Sequence, residues 1–140
     1  MRNPVGGSLT FKARSAETGG SLTALESVAA AGEGPPLHAH ADNDEAMYVV
    51  EGSFRFIVAG ELHDGPAGTC VYIPRRVPHT WQNTGDAPGT LFVVFTPGAP
   101  GMERFFEGFA ASTEPGPEVF RLLAGDAGMT VVGPPLSARH

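Results

Sequence analysis

The sequence predicts an all-β fold, an antiparallel sandwich or barrel, and three observations support this prediction. Between residues 9 and 96 the chain consists of short apolar or alternating runs with the length of β-strands. Turn residues separate these runs, and the 140-residue chain supplies them as 19 glycines and 13 prolines spread between the runs. No helical periodicity lies between the runs, so no crossover helix is available to connect parallel strands.

Each strand is predicted from its own pattern. Residues 9–14 and 21–28 alternate between apolar and polar side chains, which is typical of strands with one buried face. The later runs are more apolar, and each ends at a glycine, a proline or an acidic turn: 45–50, 53–58, 69–73, 80–83 and 91–95. These seven predicted strands are enough to form two packed sheets.

The pattern changes after Pro97. Apolar side chains then recur at i, i+3, i+4 and i+7, which predicts one face of a short helix: Met102, Phe105, Phe106 and Phe109. Residues 118–124 predict a second short helix between Pro115-Gly116-Pro117 and Gly125, and 129–132 is a last apolar piece. We expect a barrel over residues 1–97 and a helical appendage over 98–140 packed on the same domain. The phenylalanine face either packs on the outside of the barrel, the default, or closes its mouth.

Composition excludes several classes of function. The net charge of −6 and the pI of about 5.2 disfavour nucleic acid and anionic membranes as partners, because both require clustered Lys and Arg. The single cysteine, Cys70, cannot form an intrachain disulfide, and the first eight residues hold no apolar signal core. We therefore expect a cytoplasmic protein with a small-molecule substrate.

Three histidines and one glutamate form the strongest chemical signal of the sequence: His38, His40, Glu45 and His79. Three imidazoles and a carboxylate suit a divalent first-row transition metal and leave coordination positions open. Each residue alone has a plain interpretation, as a surface polar residue, a turn charge or a hydrogen-bonded histidine. The combination is far less common, and it uses three of the five histidines. We assign His63, beside a predicted turn, and the terminal His140 to the surface.

Strand geometry explains how these side chains converge. His38 and His40 share one face because side chains alternate along a strand, and the turn at 42–44 returns Glu45 beside them. Met47 and Val49 then share the face of Glu45. Together with Trp81, they are the side chains that we expect to line an apolar substrate pocket.

The two segments resemble the two motifs of the cupin superfamily. The first motif reads Gly32-x5-His38-x-His40-x4-Glu45-x6-Gly52, and the second reads Gly68-x5-Pro74-x-Arg76-x2-His79-x3-Asn83. Arg76 departs from the pattern, because this turn position is usually glycine. Its side chain either contacts an anionic substrate or, as we favour, faces the solvent. The resemblance covers roughly residues 20–97.

The resemblance implies an antiparallel jelly-roll β-barrel in which His38, His40, Glu45 and His79 bind one divalent ion of Fe, Mn, Ni, Co, Cu or Zn. It also implies a homodimer formed through the outer sheets. The nearly continuous apolar run 91–95 supports this, since its second face requires a cover.

Fold alone does not select the chemistry of a cupin. The first hypothesis is a metal-dependent dioxygenase that resembles the small quercetinase-like cupins and acts on an aromatic or enediol substrate, with Glu45 as both ligand and base. The second is a non-redox isomerase, polyketide-cyclase-like protein or lyase with the metal as Lewis acid. The third is a non-enzymatic cupin that binds a small ligand. The sequence therefore leaves open whether the protein is an enzyme.

Overall fold

Two five-stranded antiparallel sheets face each other in the computed structural model, which describes residues 1–113 and 116–136. The first sheet has the order β1-β2-β9-β4-β7, with β1 Leu9–Ala13, β2 Thr23–Ala29, β4 Asp44–Glu51, β7 Cys70–Ile73 and β9 Gly89–Thr96. The second has the order β10-β3-β8-β5-β6, with β3 Pro36–His40, β5 Ser53–Val58, β6 Glu61–Pro66, β8 His79–Asn83 and β10 Met129–Pro135. The jelly-roll prediction is confirmed.

The core lies between the facing sides of the sheets, as the alternation predicted. Along β9, Leu91, Val93 and Phe95 are buried, whereas Phe92 between them is 36% exposed on the outer face. From the opposite sheet, Phe54 and Phe56 are almost fully buried. This burial of large apolar side chains is the main force that holds the sheets together.

The sequence predicts no strand at residues 61–66, so the hairpin of β5 and β6 is a finding of the structure. Ala59 and Gly60 form the turn, with φ of 52° and 82°, and this left-handed pair matches the twist of a tight hairpin. β6 is mostly polar because it is an edge strand with exposed side chains, so its pattern carries little strand signal. His63 lies in this strand rather than beside a turn, and its side chain is half exposed.

The C-terminal part contains two helices and a strand. Helices α1 (Pro100–Ala111) and α2 (Pro117–Asp126) begin at prolines, whose fixed φ suits the first helical position. The following strand, β10, pairs with β3 and places Met129 opposite His40 and Val131 opposite His38. The expected helical appendage thus ends in a strand of the barrel, because the apolar piece 129–132 is too short to reveal a strand partner. His140 lies outside the described residues, as does Pro115 of the predicted break.

β10 therefore belongs to the second sheet although it follows both helices. The division into a barrel over residues 1–97 and an appendage over 98–140 stays a prediction. Among the described residues, no helix is long and apolar enough to cross a membrane.

Candidate metal centre

The structure brings the four predicted metal-ligating side chains together. His38 and His40 lie in β3, Glu45 begins the inward face of β4, and His79 begins β8, where it pairs directly with His38. One potential ligand atom from each residue lies within 4.8 Å of the others. All four side chains are buried, with exposures between 1% and 7%. A buried His3Glu cluster of this kind suggests a metal site.

Backbone carbonyls orient two of the imidazoles. Nδ1 of His38 lies 2.7 Å from the carbonyl oxygen of Pro36, and Nδ1 of His79 lies 2.9 Å from that of Val77. A carbonyl oxygen only accepts, so each Nδ1 carries the proton and donates it. Nε2 of both rings then points into the cluster, as in metal sites whose histidines are held by carbonyl groups.

Glu45 lies between His40 and His79 and contacts both. Its Oε1 lies 3.0 Å from Nε2 of His79 and 3.3 Å from Nε2 of His40. Burial alone would raise the pKa of the Glu45 carboxyl, but the hydrogen bonds from His40 and His79 outweigh it and hold the pKa well below its usual range. Glu45 is therefore a carboxylate, as a metal ligand must be.

The histidines differ in their protonation. Burial, with the nearby His79 and His40 adding to it, lowers the pKa of His38 well below its ordinary value, so this ring is neutral. Burial also acts to lower the pKa of His79, but the hydrogen bond and charge of Glu45 outweigh it and raise that pKa. A metal ion would displace the proton between His79 and Glu45, which makes metal affinity fall as the pH falls.

The donor set fits a divalent transition metal. Ligands at about 2.0–2.2 Å from a common ion lie about 3–4 Å from one another, and the Glu45 contacts to His79 and His40 have such lengths. Nδ1 of His40 is buried and has no hydrogen-bond partner among the described residues. Its ring is instead fixed by packing, edge-on to Phe95 at 5.2 Å between centroids.

A small cavity of about 60 Å³ adjoins the cluster and is lined by His38, His40 and Glu45. Of the predicted pocket residues, Met47 and Trp81 line this cavity, whereas Val49 is fully buried and is not among its lining residues. Most other walls are apolar. A substrate role for these residues stays a prediction.

Sequence reasoning missed several walls of the cavity, which come from distant parts of the chain: Asn3, Pro4, Val5, Leu25, Ser27, Pro35, Val93, Phe95, Phe120 and Met129. Helix α1 also contributes to the lining, with Met102, Phe105 and Phe106. Part of the phenylalanine face therefore closes the barrel and does not pack on its outer surface. The helical period identified this apolar face, but nothing in the sequence indicated what it would contact.

The second motif builds the turn before His79. Arg76, at the position usual for glycine, has φ of +69°, and its N–H donates to the carbonyl of His40. Its side chain is exposed and does not line the small cavity beside the metal centre or a second, larger cavity of the protein. Asn83 ends β8 and is fully buried; its amide donates to the carbonyls of Ala29 and Ala87.

We expect the Arg76→Gly variant to be more stable than the parent protein. A left-handed conformation costs a residue with a Cβ about 1 kcal/mol, and glycine avoids this cost while losing some chain entropy on folding. The net gain is a few tenths of a kcal/mol, up to about 0.5 kcal/mol in the free energy of unfolding, measured by urea denaturation. Arg76→Ala is the control, because it removes the guanidinium but keeps the Cβ. Equal stability of the glycine and alanine variants would contradict this account of the turn.

Comparison with protein-family models finds the cupin domain over residues 25–95, about half of the chain and including all four clustered residues. A curated relative, an uncharacterized protein of Methanocaldococcus jannaschii, is 30% identical over 63 residues. That match covers 45% of this chain, which spans only 50% of the relative's length.

Solved structures share the fold. KdgF from Halomonas sp. aligns with a TM-score of 0.58 and 21% identity over 64% of this chain and 76% of that chain. An RmlC-like cupin from Shewanella frigidimarina aligns with a TM-score of 0.51 and 29% identity over 56% and 68% of the two chains. A cupin described as a sugar phosphate isomerase, from Silicibacter pomeroyi, aligns with a TM-score of 0.54 and 25% identity over 65% and 60%.

Proposed function

This chain belongs to the cupin family, and from that premise we propose that it is a metal-dependent dioxygenase for a small aromatic or enediol substrate. The observation that carries the proposal is the combination of a buried His3Glu cluster with a cavity whose remaining walls are mostly apolar. Such walls exclude water and accept an aromatic or aliphatic body, but they offer few partners for the hydroxyl groups of a sugar.

The residues that would hold the metal are His38, His40, Glu45 and His79, with the imidazoles of His38 and His79 fixed by their carbonyl partners. When bound, a divalent transition metal supplies Lewis acidity for a chelating hydroxyl group and, if redox active, electron transfer involving dioxygen. In the proposed reaction both atoms of dioxygen enter the product and the substrate itself supplies the four electrons, so no external reductant is required. Which ion occupies the site is a question for elemental analysis.

Glu45 is the proposed base. Its carboxylate is held ionised by His40 and His79 inside the cluster, which makes it a weak base toward an ordinary hydroxyl group. It can accept a proton only from a substrate hydroxyl that has been made acidic beside it. Met47 and Trp81 would then pack against the substrate and keep bulk water away from the reacting atoms.

The test is oxygen uptake by protein loaded in turn with Fe, Mn, Co, Ni and Cu. We expect consumption of equal amounts of dioxygen and substrate with at least one member of a series of catechols, enediols and flavonols. We expect the Glu45→Gln variant to lose more than about 100-fold in rate, since a ligand and a base are removed together. Turnover of none of these substrates with any of the five metals would contradict the proposal.

A non-redox reaction is the second candidate, and the likeness to the Silicibacter pomeroyi protein, described as a sugar phosphate isomerase, favours it. The hydrogen-bonded pair of Glu45 and His79 could move a proton in such a reaction. Conversion of an aldose or ketose phosphate under anaerobic conditions would select this candidate. If the purified protein binds a small molecule but converts neither class, the non-enzymatic cupin is favoured instead.

The homodimer stays a prediction. The outer face of the first sheet supports it, because Tyr48, Tyr72 and Phe92 are all at least 36% exposed there. Neighbouring apolar side chains of this size commonly mark a protein interface.

A further inference from the structure

A second and much larger cavity, of about 520 Å³, lies at the mouth of the barrel. It is bounded by the N-terminal segment, by α2 and by the inward side of β10. We name it the vestibule and define it by the lining residues that matter here: Arg2, Pro4, Phe109, Phe120, Arg121 and Val131. Its volume falls in the range of about 300–1,000 Å³ that is typical of pockets for small molecules.

The vestibule adjoins the metal-centre cavity. Asn3, Pro4 and Phe120 line both, so these three residues form the partition between them. The ring of Phe120 packs edge-on against that of Phe105, at 5.0 Å between centroids. The inner cavity, at about 60 Å³, is far smaller than the roughly 300 Å³ at the lower end of small-molecule pockets. A substrate of aromatic size therefore has to keep most of its body in the vestibule.

The charge of the vestibule is opposite to that of the chain. Arg2 and Arg121 line it, and none of its lining residues is acidic, although the chain as a whole has a net charge of −6. Arg2 is fixed in place, because its guanidinium donates to the carbonyls of Phe109 and Ser112 at the end of α1. Arg121 is exposed on α2. The remaining walls are phenylalanine, proline, valine and other uncharged residues.

We propose that the vestibule binds an anionic molecule with an apolar body, whose anionic group lies beside Arg121 and whose other end faces the metal centre past Phe120. The binding step is independent of the metal. The assignment of this molecule as substrate rests on the proposed function and deepens it: the substrate is an aromatic carboxylate or a similar aromatic anion.

The test is calorimetric titration of the metal-free protein with 2-naphthoate, with its neutral analogue 2-naphthalenemethanol as the matched probe. We expect one naphthoate site per chain and clearly weaker binding of the alcohol. The Arg121→Gln variant should bind naphthoate about fivefold more weakly, in the upper range for a partly exposed charge pair. Arg104→Gln is the control, because Arg104 is an exposed residue of α1 that does not line the vestibule.

Naphthoate should also slow the release of metal from the loaded protein to excess EDTA, because it occupies the route past Phe120. The Phe120→Ala variant should release metal faster than the parent.

Three results would each overturn the proposal: equal affinity for the two probes, an unchanged naphthoate affinity in Arg121→Gln, or a rate of metal release that is the same with and without bound naphthoate. Binding of a second copy of the chain in the vestibule would also overturn the proposal. Such binding would compete with naphthoate, so the apparent naphthoate affinity would weaken as the protein concentration rises. Metal content is measured separately, so failure of the metal site is distinguished from failure of the vestibule.

Discussion

The His79→Ala variant is expected to lose metal almost completely, with affinity reduced by more than about 100-fold. His79 is 1% exposed, its Nδ1 is fixed by the carbonyl of Val77, and its Nε2 contacts Glu45. Loss of this imidazole removes one of four donors and also the partner that helps to hold Glu45 ionised. The measurement is elemental analysis of the purified protein, in which the parent should carry about one equivalent of metal.

The matched control is His63→Ala, since His63 is an exposed histidine on the edge strand β6. This variant should retain the metal content of the parent. His79→Gln is measured beside His79→Ala, because glutamine fills most of the space and can donate to Glu45, which protects the fold. Circular dichroism should show the same β-sheet content for all variants. A His79→Ala protein that is folded and still fully loaded would contradict the proposed metal site.

Metal should also stabilise the parent protein, because an ion that binds only the folded state raises the free energy of unfolding. At a free concentration 1,000 times the dissociation constant the gain is about 4 kcal/mol. The gain should vanish in His79→Ala and persist in His63→Ala, which connects metal content to the integrity of the cluster.

Short-range patterns in the sequence were sufficient to predict the strands and to bring three of the four clustered residues together. Alternation places His38 and His40 on one face, and turn residues bring Glu45 back beside them. The pairing of His38 with His79 joins segments about forty residues apart. Residue type and the resemblance of both segments to known motifs identified His79 as the fourth candidate ligand, but neither predicted this pairing. The match to the cupin domain model confirms the family, and the two antiparallel sheets confirm the jelly roll.

The walls of the site were much less predictable, since they depend on contacts between distant elements. Phe120 could be recognised as an apolar residue of a short helix, but not as the partition between two cavities. Asn3 gives no local signal at all; its amide is buried against Ser27 because the N-terminal segment lies across β2. Val49 shows a related difficulty: alternation gave its inward face, but the structure places it in the core away from the lining of the small cavity.

The Glu103→Ala variant is expected to lose about 3 kcal/mol in the free energy of unfolding and about 10 °C in melting temperature. Glu103 is a buried carboxylate of α1 with 7% exposure. Its Oε2 accepts hydrogen bonds from the backbone N–H of Ser15 at 2.9 Å and from the hydroxyl of Thr23 at 2.8 Å. The Thr23 hydroxyl in turn accepts from the N–H of Ala99, just before the helix. Truncation leaves these donors without their charged acceptor, and Thr23 is fully buried.

Glu107 provides the matched control on the same helix. Its side chain is 47% exposed and its contact is an ion pair with Arg14 at 3.2 Å, so Glu107→Ala should cost less than about 1 kcal/mol. Urea denaturation of both variants measures the difference. A similar loss in the two would show that the buried network does not anchor α1. Because α1 carries Met102, Phe105 and Phe106 into the wall of the metal-centre cavity, Glu103→Ala should also release metal to EDTA faster than Glu107→Ala. Equal release rates would mean that the cavity stays closed without this anchor.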